Sequence, residues 1–383
     1  MRPGRRELTQ PRQATGQAGN GLFAGLQPGE RVIIEAWDNC DDFVIEFVKA
    51  ARQLGAYPHV VRESKKLLRT LMLEADEAYW KKWYEHRIVQ MDDMDAFVAI
   101  RKDENSFELS DVPAQKQKLY NKYNGMLHFR QRNFKMKWCI LRYPNAAMAQ
   151  LSGVSTEEFE GFFFDVNCID YKRLNEIAMS LYRVCNRTDK VRIVAPGTDL
   201  TFSIKEQCGL YACCGVFNRP CGETGMTVVQ GTANGTIRYN IPSSYQGTTF
   251  ENVELTFRDG VIIQAKSNHT ELLNEILDTD KGARRIGEFA IGFNPLIRKP
   301  MLDTLFDEKM RMSLHFTPGN GSNNPSAIHW DLVQSHDPAY GGGEIWFDDV
   351  LVRKDGLFVL DELKCMNPDE LIKEIVVPDE GHA

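Results

Sequence analysis

The first part of the chain alternates short apolar runs with longer amphipathic segments. Residues 32–36 read Val-Ile-Ile-Glu-Ala, a β-branched run typical of a buried strand. Residues 43–51 carry apolar positions that suit a helix packed on a sheet, Gly55 ends that helix, and residues 57–61 have the pattern of the next strand. A strand, a helix and a strand of these lengths predict a parallel pair within an α/β layer.

The alternation of short apolar runs and amphipathic segments continues to about residue 190. Further helical structure is expected from 64 to about 91, strands at 96–100 and 137–141, and a clearly amphipathic helix at 170–187. These elements predict an α/β N-terminal domain over residues 21–190.

Beyond residue 190 the pattern changes. From 191 to 359 short β-type runs alternate with Gly, Pro and Asn turns, and one helix interrupts them near 271–277. The Asp-Gly pairs at 259–260 and 355–356 are hairpin signals. The predicted fold class is therefore an α/β N-terminal domain followed by a β-rich α+β domain over residues 191–377.

Composition narrows the class of protein. A chain of 383 residues exceeds one ordinary core, and 43% hydrophobic residues with 10% aromatics are typical of a globular protein. A net charge of −7 argues against a nucleic-acid partner, which would require a concentrated basic face. No apolar run approaches the roughly 20 residues of a membrane span.

The two termini of the chain and its cysteines indicate the cellular compartment. Residues 1–20 are polar and basic without a hydrophobic centre, so we expect a disordered arm rather than a secretion signal, and residues 378–383 a short tail. Nine cysteines are present without CxxC spacing. Without a secretion signal they are expected to be reduced thiols, which predicts a cytoplasmic protein.

Potential metal ligands are concentrated in the second half. Glu223, Glu288 and His315 precede a His-x-Asp pair formed by His329 and Asp331. Strand periodicity puts that pair on one face, about 7 Å apart at Cα. Imidazole and carboxylate together suit Zn, Co, Mn or Fe, whereas Ca and Mg prefer oxygen ligands alone. The set predicts a divalent metal site, and the second domain is its expected location.

Each candidate also has an interpretation without metal. Glu288, inside an apolar run, could be a buried carboxylate bonded to backbone, and His315 between Leu314 and Phe316 could be an ordinary core histidine. The clustering of five such residues between positions 223 and 331 favours the metal interpretation.

An ordered series of short motifs runs through most of the chain. In order they read PGERV at 28–32, LRYP at 141–144, APGTDLTFS at 195–203, GEFAIG at 287–292, LFDEK at 305–309, SAIHWD at 326–331 and GGGEI at 341–345. The series resembles the M29 family of metallo-aminopeptidases, the group of aminopeptidase T and aminopeptidase S. The chain is interpreted as a divergent member of it.

The resemblance carries expectations about activity and site. It implies a hydrolase that releases N-terminal amino acids from short peptides, or cleaves a small amide, with a metal-activated water. It implies two metal ions per chain, Zn, Co or Mn, and a homodimer. The implied metal ligands are Glu223, Glu288, His315, His329 and Asp331.

Glu308 is the candidate for a catalytic proton carrier, or for an additional metal ligand. Its alternative interpretation is a surface acid paired with Lys309 or Arg311. Nothing in the sequence decides between them.

The chain departs from the family pattern at two places. Cys221 stands where the family has an acid, and Thr224-Gly225 where it has an apolar pair. Ser322 stands where the family has a tyrosine after the first histidine, in a loop that is shorter here. Sequence drift and a changed substrate are the two explanations for these departures, since the ligand candidates themselves are intact.

Two alternative functions remain open at this point. A mononuclear Fe(II) ring-cleaving dioxygenase acting on dihydroxypyridines could use His315, His329 and Asp331 as a triad. A non-catalytic metal-binding paralogue is the other alternative. Retention of both Glu223 and Glu288 favours two metals, and with them the hydrolase.

Overall fold

The computed structural model describes residues 25–133, 136–205, 210–215 and 217–376. The predicted arm at 1–20 and tail at 378–383 lie outside these residues. The chain divides into two compact units. One runs up to Cys168 and includes Gly215–Arg219, and the other comprises Ile169–Cys214 and continues from Pro220. Contacts therefore assign the helix Tyr171–Arg187 to the second unit, whereas the sequence pattern assigns it to the first domain.

The first unit contains a five-stranded parallel sheet. Its strands, in spatial order, are Tyr57–Glu63, Arg31–Trp37, Ala96–Arg101, Lys137–Arg142 and Phe217–Arg219. The central strands are buried on both faces, which explains their unbroken apolar sequence. The α/β layer is confirmed.

Six helices accompany this sheet in the described part of the unit. They are Asp41–Gln53, Lys65–Glu74, Glu77–Asp92, Ala114–Asn133, Ala146–Leu151 and Thr156–Asn167. The first buries Phe43 and Phe47 against the sheet, as its pattern predicts. The helical segment predicted from 64 to 91 is two helices, because Asp76 caps a new one by accepting a hydrogen bond from the Tyr79 amide at 2.8 Å.

The second unit contains an eight-stranded antiparallel sheet. Its strands, in spatial order, are Val261–Lys266, Glu254–Arg258, Asn234–Arg238, Thr198–Ser203, Lys190–Ala195, Glu344–Phe347, Val350–Lys354 and Leu357–Phe358. Both predicted hairpin turns are present. Asp259 and Gly260 have φ of 49° and 75°, and the second Asp-Gly pair at 355–356 has 48° and 81°, the left-handed conformation such turns require.

A six-stranded antiparallel sheet completes the second unit. Its path runs through Asn324–His329, Ser313–Gly321, Ile286–Gly292, Glu223–Met226 and Tyr211–Cys213, and Val333–Ser335 also pairs with the second of these. We call the first five the His329, His315, Glu288, Glu223 and Tyr211 strands. A separate hairpin joins Ser243–Tyr245 to Thr248–Phe250.

Aromatic side chains pack between the two sheets of this unit. Phe202, from the eight-stranded sheet, lies 5.0 Å from the Phe289 ring and 4.8 Å from the Phe316 ring, measured between centroids. Phe289 and Phe316 belong to the Glu288 and His315 strands. The candidate ligand strands are thus fixed on one face by the core.

The helical elements of the second unit are Tyr171–Arg187, Thr270–Leu277, Thr304–Asp307 and Pro368–Ile375, with 3-10 turns at Pro338–Tyr340 and Asp361–Met366. The helix Tyr171–Arg187 buries Leu174, Ile177 and Leu181, which confirms its amphipathic pattern. No helix within the described residues is long and apolar enough to cross a membrane.

Candidate metal centre

The structure brings the five predicted ligands together. Four antiparallel strands carry them side by side, because Glu223 opens its strand, Glu288 and His315 lie within theirs, and His329 ends its strand. Asp331 follows two residues after His329. The register pairs Gly292 with Glu223, Ala290 with His315, and Gly319 with His329.

His315 lies among three of the carboxylates. Its Nε2 is 3.6 Å from Glu288 Oε1, 3.7 Å from Glu223 Oε2 and 4.0 Å from Asp331 Oδ1. The side chains of His315 and Glu223 are 1% and 2% exposed. These distances leave room for a cation among the groups, and they exclude the interpretation of His315 as an ordinary apolar-core histidine.

His329 stands at the more open edge. Its Nε2 is 3.2 Å from Asp331 Oδ1 and 4.0 Å from Glu288 Oε2, and its side chain is 32% exposed. Its Nδ1 lies 2.8 Å from the Asn320 carbonyl. A proton on Nδ1 would donate to that carbonyl and leave the Nε2 lone pair facing the carboxylates, the tautomer that a metal ligand needs. Thr317 donates to Asp331 Oδ1 at 2.7 Å.

Among the described residues, two groups of side chains have the spacing to hold a metal ion. One consists of Glu288, His329 and Asp331, and the other of Glu308, His315 and Asp331, with the potential ligand atoms of each group within 4.8 Å of one another. Both contain Asp331. A carboxylate has two oxygens, so one such residue can serve two ions at once.

The structure places Glu308 beside this cluster and buries it. Glu308 is 6% exposed, so its interpretation as a surface acid is wrong. Lys309, fully buried, donates to Glu308 Oε1 and lies 3.0 Å from Glu223 Oε1. Arg311, the other predicted partner, instead lies 3.5 Å from Asp337. The short helix Thr304–Asp307 positions this pair.

The charge balance favours a bound cation. Four carboxylates, those of Glu223, Glu288, Glu308 and Asp331, face one ammonium, that of Lys309. Glu223 Oε2 has no hydrogen-bond partner among the described residues although it is buried. An uncompensated buried carboxylate is costly, and divalent ions would remove that cost, so the residues fit a metal centre.

The excess of carboxylates over ammonium groups also changes the pKa values of the two histidines. Burial lowers the pKa of His329, but the charges of Asp331 and Glu288 outweigh burial and raise it to about 9. Burial likewise lowers the pKa of His315, and the hydrogen bond with Glu288 and the charge of Glu223 outweigh it, so the net pKa is raised. Without metal, the imidazoles take up the positive charge that the carboxylates require.

Sequence reasoning missed Tyr211. Its hydroxyl donates to Glu288 Oε1 and lies 3.3 Å from Glu223 Oε1. The Tyr211 strand has three residues and no motif, so its pattern gives no signal. The indirect signal was Gly225, the departure from the family pattern, which pairs with Tyr211 across the sheet.

The other departures lie close to the ligands in sequence. Cys221 is fully buried, and its carbonyl accepts a hydrogen bond from Asn294 Nδ2 at 2.7 Å. Gly222 has φ of 130°, and a Cβ there would lie 2.8 Å from the Asn294 Cβ, so glycine is required before Glu223. Ser322 is exposed in the turn between the His315 and His329 strands.

Comparison with known proteins identifies the family. The family described as thermophilic metalloprotease (M29) matches residues 22–342. The chain belongs to the M29 family. The structure titled wild-type AmpT from Thermus thermophilus has a similar fold, with a TM-score of 0.74. It covers 91% of this chain and 99% of that one at 21% sequence identity.

Curated proteins with similar sequences are aminopeptidases by name. Aminopeptidase T of Thermus thermophilus is 30% identical over 148 residues, which span 35% of this chain and 36% of the relative. Aminopeptidase AmpS of Bacillus subtilis is 27% identical over 322 residues, 74% of this chain and 78% of the relative. The match thus spans about a third of aminopeptidase T. The family resemblance inferred from the sequence is confirmed, and these comparisons give no support to the ring-cleaving dioxygenase.

Proposed function

We propose that the chain is a metal-dependent aminopeptidase with two divalent ions, Zn, Co or Mn, per chain. The observation that carries this proposal is the pair of potential ligand groups that share Asp331 within a member of a metalloprotease family. Glu288, His329 and Asp331 would hold one ion. His315 and Asp331 with Glu223, or with Glu308, would hold the other.

A divalent ion held by these residues would supply the reactive group. Divalent ions of this type make a bound water acidic near neutral pH and polarise a carbonyl oxygen. The protein side chains then have to exclude bulk water, orient the ligands and carry a proton.

Glu308 is the proposed proton carrier. Lys309 donates to its Oε1, which favours the ionised carboxylate and leaves Oε2 to accept a proton. The side chain as a whole is largely buried, which limits its contact with bulk water. A carboxylate so held would take a proton from the attacking water and deliver it to the leaving amine.

The substrate proposed is a short peptide or small amide with an unblocked amino terminus. Exposure indicates the side of approach, since His329 and Glu288 are 32% and 16% exposed while Glu223 and His315 are buried. A protonated amine approaching this edge would meet a site with an excess of carboxylates. That charge would favour a free α-amine over a blocked one.

Two further proposals concern the state of the protein. A cytoplasmic location is supported by the cysteines of the described part of the chain, which are thiols rather than disulfides. A homodimer is supported by the family resemblance.

A substrate panel tests the function. Purified protein loaded with Zn²⁺, Co²⁺ or Mn²⁺ should hydrolyse aminoacyl p-nitroanilides, and EDTA should abolish this hydrolysis. The matched control is each substrate with its α-amine acetylated, which should be cleaved far more slowly. Equal rates on blocked and unblocked substrates would contradict an aminopeptidase, and so would activity that EDTA leaves unchanged.

A further inference from the structure

We propose that Tyr211 is a positioning residue of the metal centre, holding the carboxylates of Glu288 and Glu223 in the orientation that ligation requires. Gly225 makes this possible by leaving room for the Tyr211 ring. The inference rests on the proposed function, because it assigns a role within the same site.

The Tyr211 ring lies over Gly225. The two residues are opposite each other in the antiparallel pairing of their strands. A Cβ on Gly225 would lie 2.4 Å from Cε1, 2.5 Å from Cζ and 2.6 Å from Oη of the tyrosine. Any larger residue at 225 would therefore displace the ring.

The backbone does not explain the glycine. Gly225 is not among the glycines with positive φ, so a residue with a side chain could adopt its conformation. The structural requirement at this position is space for Tyr211. Tyr211 and Gly225 consequently act as a pair, and Gly225 is the member of the pair that the sequence marks as unusual.

The hydroxyl contacts two carboxylates from neighbouring strands. Tyr211 Oη donates to Glu288 Oε1 and lies 3.3 Å from Glu223 Oε1. With Oε1 of each occupied in this way, Glu288 Oε2 faces His329 Nε2 at 4.0 Å, and Glu223 Oε2 faces His315 Nε2 at 3.7 Å. Each Oε2 thus points towards an imidazole nitrogen, where an ion would be shared.

The two carboxylates depend on Tyr211 unequally. Glu223 Oε1 also lies 3.0 Å from Lys309 Nζ, which holds it in place from another direction. The contacts of Glu288 are with Tyr211 and the two histidines, and both histidines would turn to the metal once it binds. Loss of the hydroxyl should therefore affect the Glu288, His329 and Asp331 group most.

Metal binding by four proteins tests this inference. They are the wild type, Tyr211→Phe, Gly225→Ala and the double variant, each stripped of metal and titrated with Zn²⁺ against a chromophoric chelator. Tyr211→Phe should weaken binding of one ion by about 10- to 100-fold, the usual effect of removing a hydrogen bond to a ligand. Gly225→Ala should do the same, and should add little when combined with Tyr211→Phe, because the hydroxyl is already gone in that variant.

A matched control separates this effect from the loss of any tyrosine hydroxyl. Tyr143 donates to Asp42 at 2.7 Å in the first unit, so Tyr143→Phe removes the same kind of bond away from the ligands. It should leave Zn²⁺ affinity unchanged. The visible spectrum of Co²⁺-loaded protein should change in Tyr211→Phe and stay the same in Tyr143→Phe.

The outcomes are separable. Zn²⁺ affinity and a Co²⁺ spectrum in Tyr211→Phe that match those of Tyr143→Phe would overturn the inference while the proposed function stands. If Tyr211→Phe binds metal more weakly than the wild type, but the wild type cleaves no aminoacyl substrate, the inference stands and the proposed function is wrong. Wild-type protein that binds no metal would overturn both. If Tyr211→Phe does not fold, Gly225→Ala gives the decision on its own.

Discussion

Lys309 Nζ lies 3.0 Å from Glu223 Oε1, and both side chains are buried, at 0% and 2% exposure. Burial lowers the pKa of Lys309, but the charge of Glu223 outweighs it and keeps the ammonium protonated. One of the two interpretations of Glu308 paired it with this lysine at the surface. The position of Lys309 instead makes it the fixed positive charge of a site that otherwise consists of acids and imidazoles.

Replacing Lys309 with methionine should destabilise the metal-free protein by about 3–5 kcal/mol, because it leaves buried carboxylates without their partner. Denaturant unfolding measures this change. Glu223→Gln added to Lys309→Met should recover part of the loss, since it removes the uncompensated charge. A loss below about 1 kcal/mol would show that the carboxylates do not rely on this ammonium.

His329→Ala should lower metal content by about one ion per chain, because His329 is the imidazole of the group with Glu288 and Asp331. Elemental analysis after gel filtration measures this. His269→Ala, an exposed histidine at the start of the helix Thr270–Leu277, is the matched control and should keep full content. Equal metal content in the two variants would remove the His-x-Asp pair from the site.

Glu308→Gln should lower kcat by about 10²- to 10⁴-fold with metal content unchanged, if Glu308 carries the proton. Steady-state kinetics and metal analysis on one preparation distinguish the two assignments. A fall in metal content together with activity would instead assign Glu308 as a ligand. Unchanged kcat and metal content would contradict both.

The contribution of His336 to stability should be lost in acid. Burial and the charge of Arg353 hold the pKa of this histidine well below its usual range, so it is neutral in the folded protein. The unfolded chain binds a proton near pH 6.5, so the contribution of His336 to stability is present above that pH and is lost as pH falls below it.

The contribution of His336 to the slope of unfolding free energy against pH should reach about 1.4 kcal/mol per pH unit. Unfolding free energies of metal-free protein at pH 7.5 and pH 5.5 measure it. The change in unfolding free energy from pH 7.5 to pH 5.5 should be less negative in His336→Gln, which keeps a donor for Gln334, than in the wild type. An equal change in unfolding free energy between the two pH values in both proteins would mean that His336 does not contribute.

The sequence predicted those parts of the molecule that local chemistry determines. Apolar runs identified the parallel strands, and Asp-Gly pairs identified two hairpin turns. Residue type alone identified the ligand candidates Glu223 to Asp331, because imidazoles and carboxylates in apolar strands are costly without a partner.

What the sequence did not show depends on pairing between distant strands. Register places Tyr211 beside Gly225, and that contact is absent from any local pattern. The strand Phe217–Arg219 is too short for a periodic signal, yet it adds a fifth strand to the first sheet. The sequence left open whether Glu308 and Lys309 form a surface pair, and the burial of Lys309 depends on its contacts with both Glu223 and Glu308.

The number of metal ions bound per chain is the most direct test of the proposed two-metal aminopeptidase. Protein stripped with chelator and titrated with Zn²⁺, Co²⁺ or Mn²⁺ should bind two ions per chain, with aminoacyl-amide hydrolysis appearing as the sites fill. Binding of one iron per chain, with oxygen consumption on a dihydroxypyridine, would contradict the proposed aminopeptidase. Hydrolysis by protein that holds no metal would contradict it as well.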